Sequence, residues 1–508
     1  MNTRAASPQA QPSYAGEDPA PEFPEGLDWI NTGGKPLSIE GLRGKVILLD
    51  FWTFGCINCI HIIPDLKKLE AKYGDALAVI GVHSPKFDHE KKTSAVRKIT
   101  MRYDLEHAVV NDRDMRIWRS YGARGWPHLA LIDPEGRLIG AVSGEGHYDL
   151  LDRVIGGAIR QFEKEGKINR APVALVLEKS LLKDSKLLFP GRVLADGVSK
   201  RLFIADTNHD RIVVTDLDGE VTAVIGCGTA GLADGDFKAA EFFRPQGLAL
   251  ASKDTLYVAD TKNHVIRKVD LAAEKVSTVA GVGRQVYQTS DSGPAATTGM
   301  NSPWGLLYHD GLLYIAMAGQ HQLWIYDPAQ QELREYAGSR REELKDGRLL
   351  SAGLNQPSGL ATDGEYIYVA DSEASAIRAA DIDPDGKLDT IVGQGLFAFG
   401  DIDGRGDKVR LQHPKDLVWW EGSLLVADTY NSKIKRINPA TRESRTLIGS
   451  EAELDEPGGV SLLGDTLFIA DTNRHRVVTF DLPKGEAKAL AIRDPQGLLE
   501  SEKPDNSL

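Results

Sequence analysis

Residues 48–66 read Leu-Leu-Asp-Phe-Trp-Thr-Phe-Gly-Cys-Ile-Asn-Cys-Ile-His-Ile-Ile-Pro-Asp-Leu. The segment begins inside a near-continuous apolar run, Lys45–Phe51, of the length and hydrophobicity expected for a strand buried on both faces of a sheet. It ends with Ile60, Ile63, Leu66 and Leu69 at helical spacing, with Lys67, Lys68 and Glu70 on the other side. Between strand and helix stand Cys56 and Cys59. A cysteine at a helix N-terminus meets the positive end of the macrodipole and unpaired backbone N–H groups. Both favour the thiolate, the reactive form. The second cysteine, about one turn on, can attack a mixed disulfide formed by the first.

The pattern continues outward as βαβ. Ala76–Val82 and Ala108–Asn111 read as strands, and 91–103 and Met115–Tyr121 as helices. After Trp126-Pro127, His128–Ile132 reads as a strand that turns at Asp133-Pro134-Glu135-Gly136 into Arg137–Val142. A helix over Tyr148–Glu165 closes the unit.

Four other readings of the cysteine pair stand beside redox chemistry. Structural zinc needs about two more Cys or His ligands; His61 is close, but there is no second Cys pair. Covalent haem needs Cys-x-x-Cys-His, and here Ile60 precedes His61. A peroxiredoxin centre fits Thr53, three before Cys56, but Leu49 stands where such enzymes carry proline. The fourth reading is a pair kept for packing alone. His61 itself reads as a helix-surface or packing residue.

The segment resembles the active site of thioredoxin-like proteins, nearest the branch with Cys-Ile-Asn-Cys. Asp50 matches a buried aspartate six residues before the first cysteine, Pro64 a proline five residues after the second, and Pro127 a cis-proline facing the pair. The resemblance covers about residues 25–165 and implies roles. Cys56 is the nucleophile, and Cys59 resolves the mixed disulfide. Asp50 accepts the proton of Cys59, because a desolvated carboxyl has a raised pKa. Pro127 shapes the substrate groove, with Trp52, Trp126, Ile57 and Asn58 lining it, and keeps metals off the thiols. Ile57-Asn58 replaces the Gly-Pro of thioredoxin, and Trp126 replaces a smaller residue before the proline. No cofactor or metal is implied beyond the redox pair.

Beyond residue 170 the sequence repeats itself. Leu202–His209 (LFIADTNH) has copies at 256–263, 367–372, 424–431 and 467–473, with a weaker copy, Leu313–Ala318. Prolines 190, 245, 303, 357, 414 and 457 precede the six copies at intervals of 43 to 58 residues. Two further short strands follow each copy. Four strands repeated six times predict an all-β, six-bladed β-propeller. Gly-rich insertions such as 226–236 and 393–407 read as long loops on one face. The repeated Asp206, Asp260, Asp371, Asp428 and Asp471 read as turn residues bonding backbone, rather than as channel ligands. Cys227 stands alone in a loop.

The repeats resemble NHL repeats. The whole order, an α/β thioredoxin-like domain followed by the propeller, is similar to the NHL-repeat-containing protein 2 family and its bacterial members. The expected organisation is a flexible leader at 1–23, the thioredoxin-like domain at 24–166, the propeller at 172–492 and a polar tail at 493–508.

Composition narrows the function classes. The 508 residues are 42% hydrophobic and 26% charged, with three cysteines, 51 glycines and 24 prolines. That excludes a disordered chain, a collagen-like chain and a disulfide scaffold. No apolar run approaches the roughly 18 residues that span a bilayer, so no membrane association is expected. The leader lacks the apolar core of a secretory signal, so the chain reads as cytoplasmic. A net charge of −13 argues against nucleic acid as a partner and leaves Arg244, Arg267, Arg436 and Arg474 as solvated arginines. The expected activity is thiol–disulfide exchange on a protein thiol or disulfide substrate, with a propeller face that docks a protein partner or restricts access. The competing expectation is a non-catalytic interaction scaffold whose thioredoxin-like domain no longer turns over.

Overall fold

The computed structural model describes residues 13–182, 184–287 and 292–500. The described residues form two compact units, the first ending at residue 182 and the second beginning at 184. Among the described residues no helix is long and apolar enough to cross a membrane.

The first unit is a thioredoxin-like α/β fold. Its strands are β1 (Asp18–Pro19), β2 (Asp28–Ile30), β3 (Val46–Trp52), β4 (Leu77–His83), β5 (Ala108–Asn111), β6 (His128–Ile132) and β7 (Arg137–Ser143). Its helices are α1 (Ile57–Tyr73), α2 (Thr93–Arg102), α3 (Arg116–Ser120) and α4 (Tyr148–Lys164). The sheet order is β1-β7-β6-β3-β4-β5-β2, with β3, β4 and β5 parallel. Strand alternation divides the core. Ile47, Leu49 and Phe51 pack on one face with Ile80, Val110 and Ile117. Val46 and Leu48 pack on the other with Leu66 and Leu69 of α1 and Ile155 and Ile159 of α4. Asp50 and Trp52 continue that second row, so both point toward the face that α1 covers.

Two elements lie outside the sequence reading. Strand β2 pairs antiparallel with β5, and β1 pairs with β7. The expected flexible leader is therefore corrected for residues 13–23. Tyr14 N–H donates to Gln161 Oε1, Gly16 N–H donates to Asp133 Oδ2, and Phe23 is buried in the core. Residues 1–12 lie outside the described residues. The unit also runs past residue 166. Lys45 Nζ donates to the carbonyls of Asn169 and Ala171, and Val176 N–H to Asn31 O.

The second unit is a six-bladed β-propeller. Its first blade comprises strands Arg192–Asp196, Arg201–Asp206, Arg211–Asp216 and Val221–Ile225. The Ala-Asp copies form the second strand of each blade and are almost wholly buried. The insertions do more than form loops. Gly235–Asp236, Ser292–Pro294, Gly347–Arg348 and Gly404–Arg405 each add a short strand to the outer edge of the blade that follows. The tail does the same for the first blade: Val221 N–H donates to Arg493 O, and Arg493 N–H to Gly219 O, both at 2.8 Å. Residues 493–500 thus belong to the ring, and 501–508 lie outside the described residues.

Recurring side chains tie each blade to the next. The residue that ends the turn after each Ala-Asp copy (Asp210, His264, His321, Ser375, Ser432, His475) has a φ of 49–55°. In all six blades its side chain accepts the backbone N–H of the residue just before the next proline, at 2.7–3.2 Å. In five blades the Thr or Ser after the aspartate donates to that proline's carbonyl at 2.6–2.8 Å, and Thr472 to Pro190 closes the ring.

The repeated aspartates act differently from the turn reading. Each accepts the N–H of the residue two before its own blade's proline, at 2.5–2.7 Å. Arg211, Arg267, Arg378 and Arg476 donate to the second oxygen in four blades. Arg267 is therefore fully buried rather than solvated. In the third blade Met317 replaces the aspartate, and Trp324, its indole N–H donated to Gln322, replaces the arginine.

The third position of Pro-x-Gly also breaks symmetry. A Cβ on Gly305 would lie 1.8 Å from Ser358 O, and one on Gly359 2.5 Å from Asp416 Cα, so glycine lets first strands of adjacent blades meet. The first and fifth blades carry Arg192 and Asp416 instead, and these two form a buried ion pair.

Arg378→Met strands a buried carboxylate at Asp371 and is expected to destabilise the propeller by about 3–5 kcal/mol. The double variant Asp371→Met, Arg378→Trp copies the third blade and is expected to recover part of that loss in denaturant unfolding of the full chain. A double variant no more stable than the single one overturns this account.

Candidate active site

Cys56 caps the N-terminus of α1 in an extended conformation. Its N–H donates to Thr53 O at 3.3 Å, and its carbonyl accepts Ile60 N–H at 3.2 Å. The side chain is partly exposed, with Sγ 4.0 Å from the carbonyl of Trp126. Cys59, one turn further, is only 1% exposed. Burial raises its thiol well above the ordinary range, and the neighbouring Cys56 and Asp50 add to that. One thiol thus faces solvent beside helix N–H groups, and the other is held protonated inside.

Asp50 is 4% exposed, and burial pushes its carboxyl up to about 7. His107 opposes the shift and Glu70 adds to it. Its Oδ1 is buried without a hydrogen-bond partner. A carboxyl with this pKa exchanges its proton at neutral pH, which suits an acceptor beside Cys59.

The Trp126–Pro127 peptide bond is cis, and Pro127 is buried at the start of β6. Trp126 lies across Trp118 with ring centroids 4.6 Å apart and donates its indole N–H to Ser84 O at 2.9 Å. Its remaining surface faces outward, as does part of Asn58 in the first turn of α1. The fold therefore brings Cys56, Cys59, Asp50, Asn58 and Trp126-Pro127 together.

Trp52 and Ile57 are corrections. Both are 2% exposed and offer no surface to a groove. Strand alternation turns Trp52 under α1, where its ring meets His83 edge-on at 4.9 Å. His83 stacks on Phe54, and burial pushes its imidazole down to about 3, so it is neutral. Of the two expectations for His61 the packing one fits: it is buried, with Nδ1 2.7 Å from Glu145 Oε2.

Glu90 is the positioning residue that sequence reasoning missed. It is fully buried. Oε1 accepts Gly55 N–H at 3.0 Å; Oε2 accepts the N–H groups of Lys86 and Phe87 at 2.7 and 3.0 Å and the Thr53 hydroxyl. It therefore fixes the turn that delivers Cys56 to the helix end. Nothing in the polar stretch Lys86–Lys92 signals this, because Thr53 and Gly55 are more than thirty residues away.

Comparison with known proteins agrees with both units. The Thioredoxin-like family matches residues 44–138, and the NHL repeat matches residues 242–268. NHL repeat-containing protein 2 of Bos taurus is 40% identical over 520 residues, covering 93% of this chain and 71% of its own. Protein SUPPRESSOR OF QUENCHING 1, chloroplastic, of Arabidopsis thaliana is 41% identical over 508 residues, covering 94% of this chain and 48% of its own. Thiol-disulfide oxidoreductase ResA of Bacillus thuringiensis is 29% identical over 122 residues, covering 24% of this chain and 68% of its own. The chain belongs to the NHL repeat-containing protein 2 family.

The raised carboxyl of Asp50 has a consequence for stability. The unfolded chain loses this proton near pH 4, whereas the folded one holds it to about pH 7. Between those values the folded state binds more protons, so the group costs stability as pH rises. Asp50→Asn is expected to stabilise the fold at pH 8 by on the order of 4 kcal/mol, a gain that vanishes below pH 4. Denaturant unfolding at the two pH values measures it.

Proposed function

We propose that this protein is a thiol–disulfide oxidoreductase acting on protein substrates, its propeller serving as a partner-docking or access-controlling scaffold. The observation that carries the reading is the inequality of the two thiols. Cys56 is partly exposed at a helix N-terminus, while Cys59 is buried against an aspartate whose carboxyl sits near neutrality.

The chemistry follows from that arrangement. The Cys56 thiolate attacks one sulfur of a substrate disulfide, and the other sulfur leaves as a thiolate, giving a mixed disulfide on Cys56. Cys59 gives its proton to the Asp50 carboxylate and attacks Cys56 Sγ. The second substrate sulfur leaves as a thiolate, and both substrate thiolates take protons from water. The substrate is reduced by two electrons, and the Cys56–Cys59 pair is oxidised to a disulfide. The reverse sequence oxidises a dithiol substrate. The Trp126 carbonyl beside Cys56 and the partly exposed Trp126 ring supply a backbone acceptor and an apolar wall for an extended peptide.

The propeller's part in the reading rests on its rigidity. Side-chain acceptors repeat around all six junctions, so its surface is preorganised and a partner docking there incurs little ordering cost.

Cys56→Ser is expected to reduce disulfide exchange on a protein substrate such as insulin to the uncatalysed background. Cys59→Ser is expected to accumulate substrate as a mixed disulfide on Cys56. Exchange by the full-length wild type no faster than buffer leaves the non-catalytic scaffold as the function.

A further inference from the structure

The thiol–disulfide reading leaves a proton on Asp50, a carboxyl 4% exposed beneath Cys59, and that proton must reach water. Asp50 pairs in register with Gly81 of β4, and both face α1. A Cβ on Gly81 would lie 2.9 Å from Trp52 Nε1 and 3.4 Å from His107 Nε2. The glycine therefore leaves the room into which His107 extends, beside Asp50. Among the described residues, Asp50 Oδ1 and both ring nitrogens of His107 are buried polar atoms with no hydrogen-bond partner at rest, so each has a lone pair or proton left to exchange. On its other side, His107 Nδ1 lies 3.3 Å from Glu70 Oε1. The Glu70 side chain, on α1, keeps 28% of its surface in water, against 4% for that of His107. Asn31 Nδ2 donates to the carbonyls of Leu105 and His107, both at 2.8 Å, and fixes this segment.

We propose that His107 and Glu70 form the proton exit of the Asp50–Cys59 pair, a proposal that rests on the thiol–disulfide reading. In the resolving step Cys59 loses its proton to Asp50 as its sulfur attacks Cys56. The proton passes from Asp50 to His107 Nε2, and the imidazole releases its Nδ1 proton to Glu70, which delivers it to water. When the Cys56–Cys59 disulfide is reduced again, Cys59 leaves as a thiolate and takes the proton back from Asp50; Asp50 draws the Nε2 proton and Glu70 returns one to Nδ1, which restores the starting tautomer. Among the described residues, the ionisable groups shown to interact with Asp50 are Cys59 and Glu70 from α1 and His107 ahead of β5; His83 ends the neighbouring β4. His83 is held neutral by burial, and Asp50 feels His107 and Glu70 in opposite directions. His107 and Glu70 are positioning residues for the proton, because neither touches a reacting sulfur.

Single-turnover reaction of the full-length dithiol protein with the aromatic disulfide dithiobis(nitrobenzoate) tests this. A Cys227→Ser background makes the pair the only reporter. Attack by Cys56 releases one coloured thiolate, and attack by Cys59 releases the second. Glu70→Gln and His107→Ala are expected to leave the first phase within about twofold and to slow the second roughly tenfold near pH 7, at the low end of general acid–base effects. Added imidazole is expected to restore the second phase of His107→Ala. Where the His107 variant does not fold, Glu70→Gln alone decides. A second phase at wild-type rate, or both phases slowed alike, overturns the relay while the exchange reading stands. Absence of both phases in the Cys227→Ser parent overturns the exchange reading itself, and the relay with it.

Discussion

A carboxylate taken out of water must be neutralised, paired or surrounded by donors, and both units of this protein are organised around that requirement. The propeller meets it by pairing. Asp206, Asp260, Asp371 and Asp471 each receive a backbone N–H and an arginine, so the buried charge becomes a brace between the start and the second strand of a blade. The first unit does the opposite. Asp50 has an unsatisfied oxygen and no arginine, and its proton stays on until about pH 7. The same residue type thus receives an arginine at four places in the ring and none at Asp50. The difference lies in the neighbours, since both environments are almost dry.

The departures from six-fold repetition are informative for the same reason. In the third blade Met317 and Trp324 replace both members of the pair together, which leaves no lone charge. Arg192 and Asp416 replace glycine at two repeat positions, and they compensate one another. Neither departure leaves a lone buried charge, so variation in the ring preserves charge balance.

How much of this was legible in the sequence depends on the distance between partners. The strand–Cys-x-x-Cys–helix segment and the Ala-Asp copies are local patterns, and they led directly to the site and the blade count. Asp50 and Pro127 were readable from their offsets to the cysteines. Strands of two or three residues were not, because Gly235–Asp236 and Asp18–Pro19 owe their conformation to the edges they pair with and carry no β-propensity of their own. Glu90, His107 and Glu70 were silent for the same reason: Gly55 and Thr53 lie 35 and 37 residues from Glu90, and Glu70 lies 37 residues from His107. Trp52 was misplaced in the groove because proximity to Cys56 in sequence was weighed above the two-residue period that turns it inward.

The short strands on the blades' outer edges also bear on solubility. Among the described residues, five of the six outer edges carry an added segment, supplied by an insertion or by the tail at Arg493. The sixth blade ends in Glu486–Ala489, whose four residues are all exposed. An uncovered edge invites a neighbouring molecule to add a strand, and the recurrence of the motif on five sides would make such growth easy to propagate. Here the open edge is four residues long and carries Glu486 and Lys488, a shortness and charge that discourage edge-to-edge stacking.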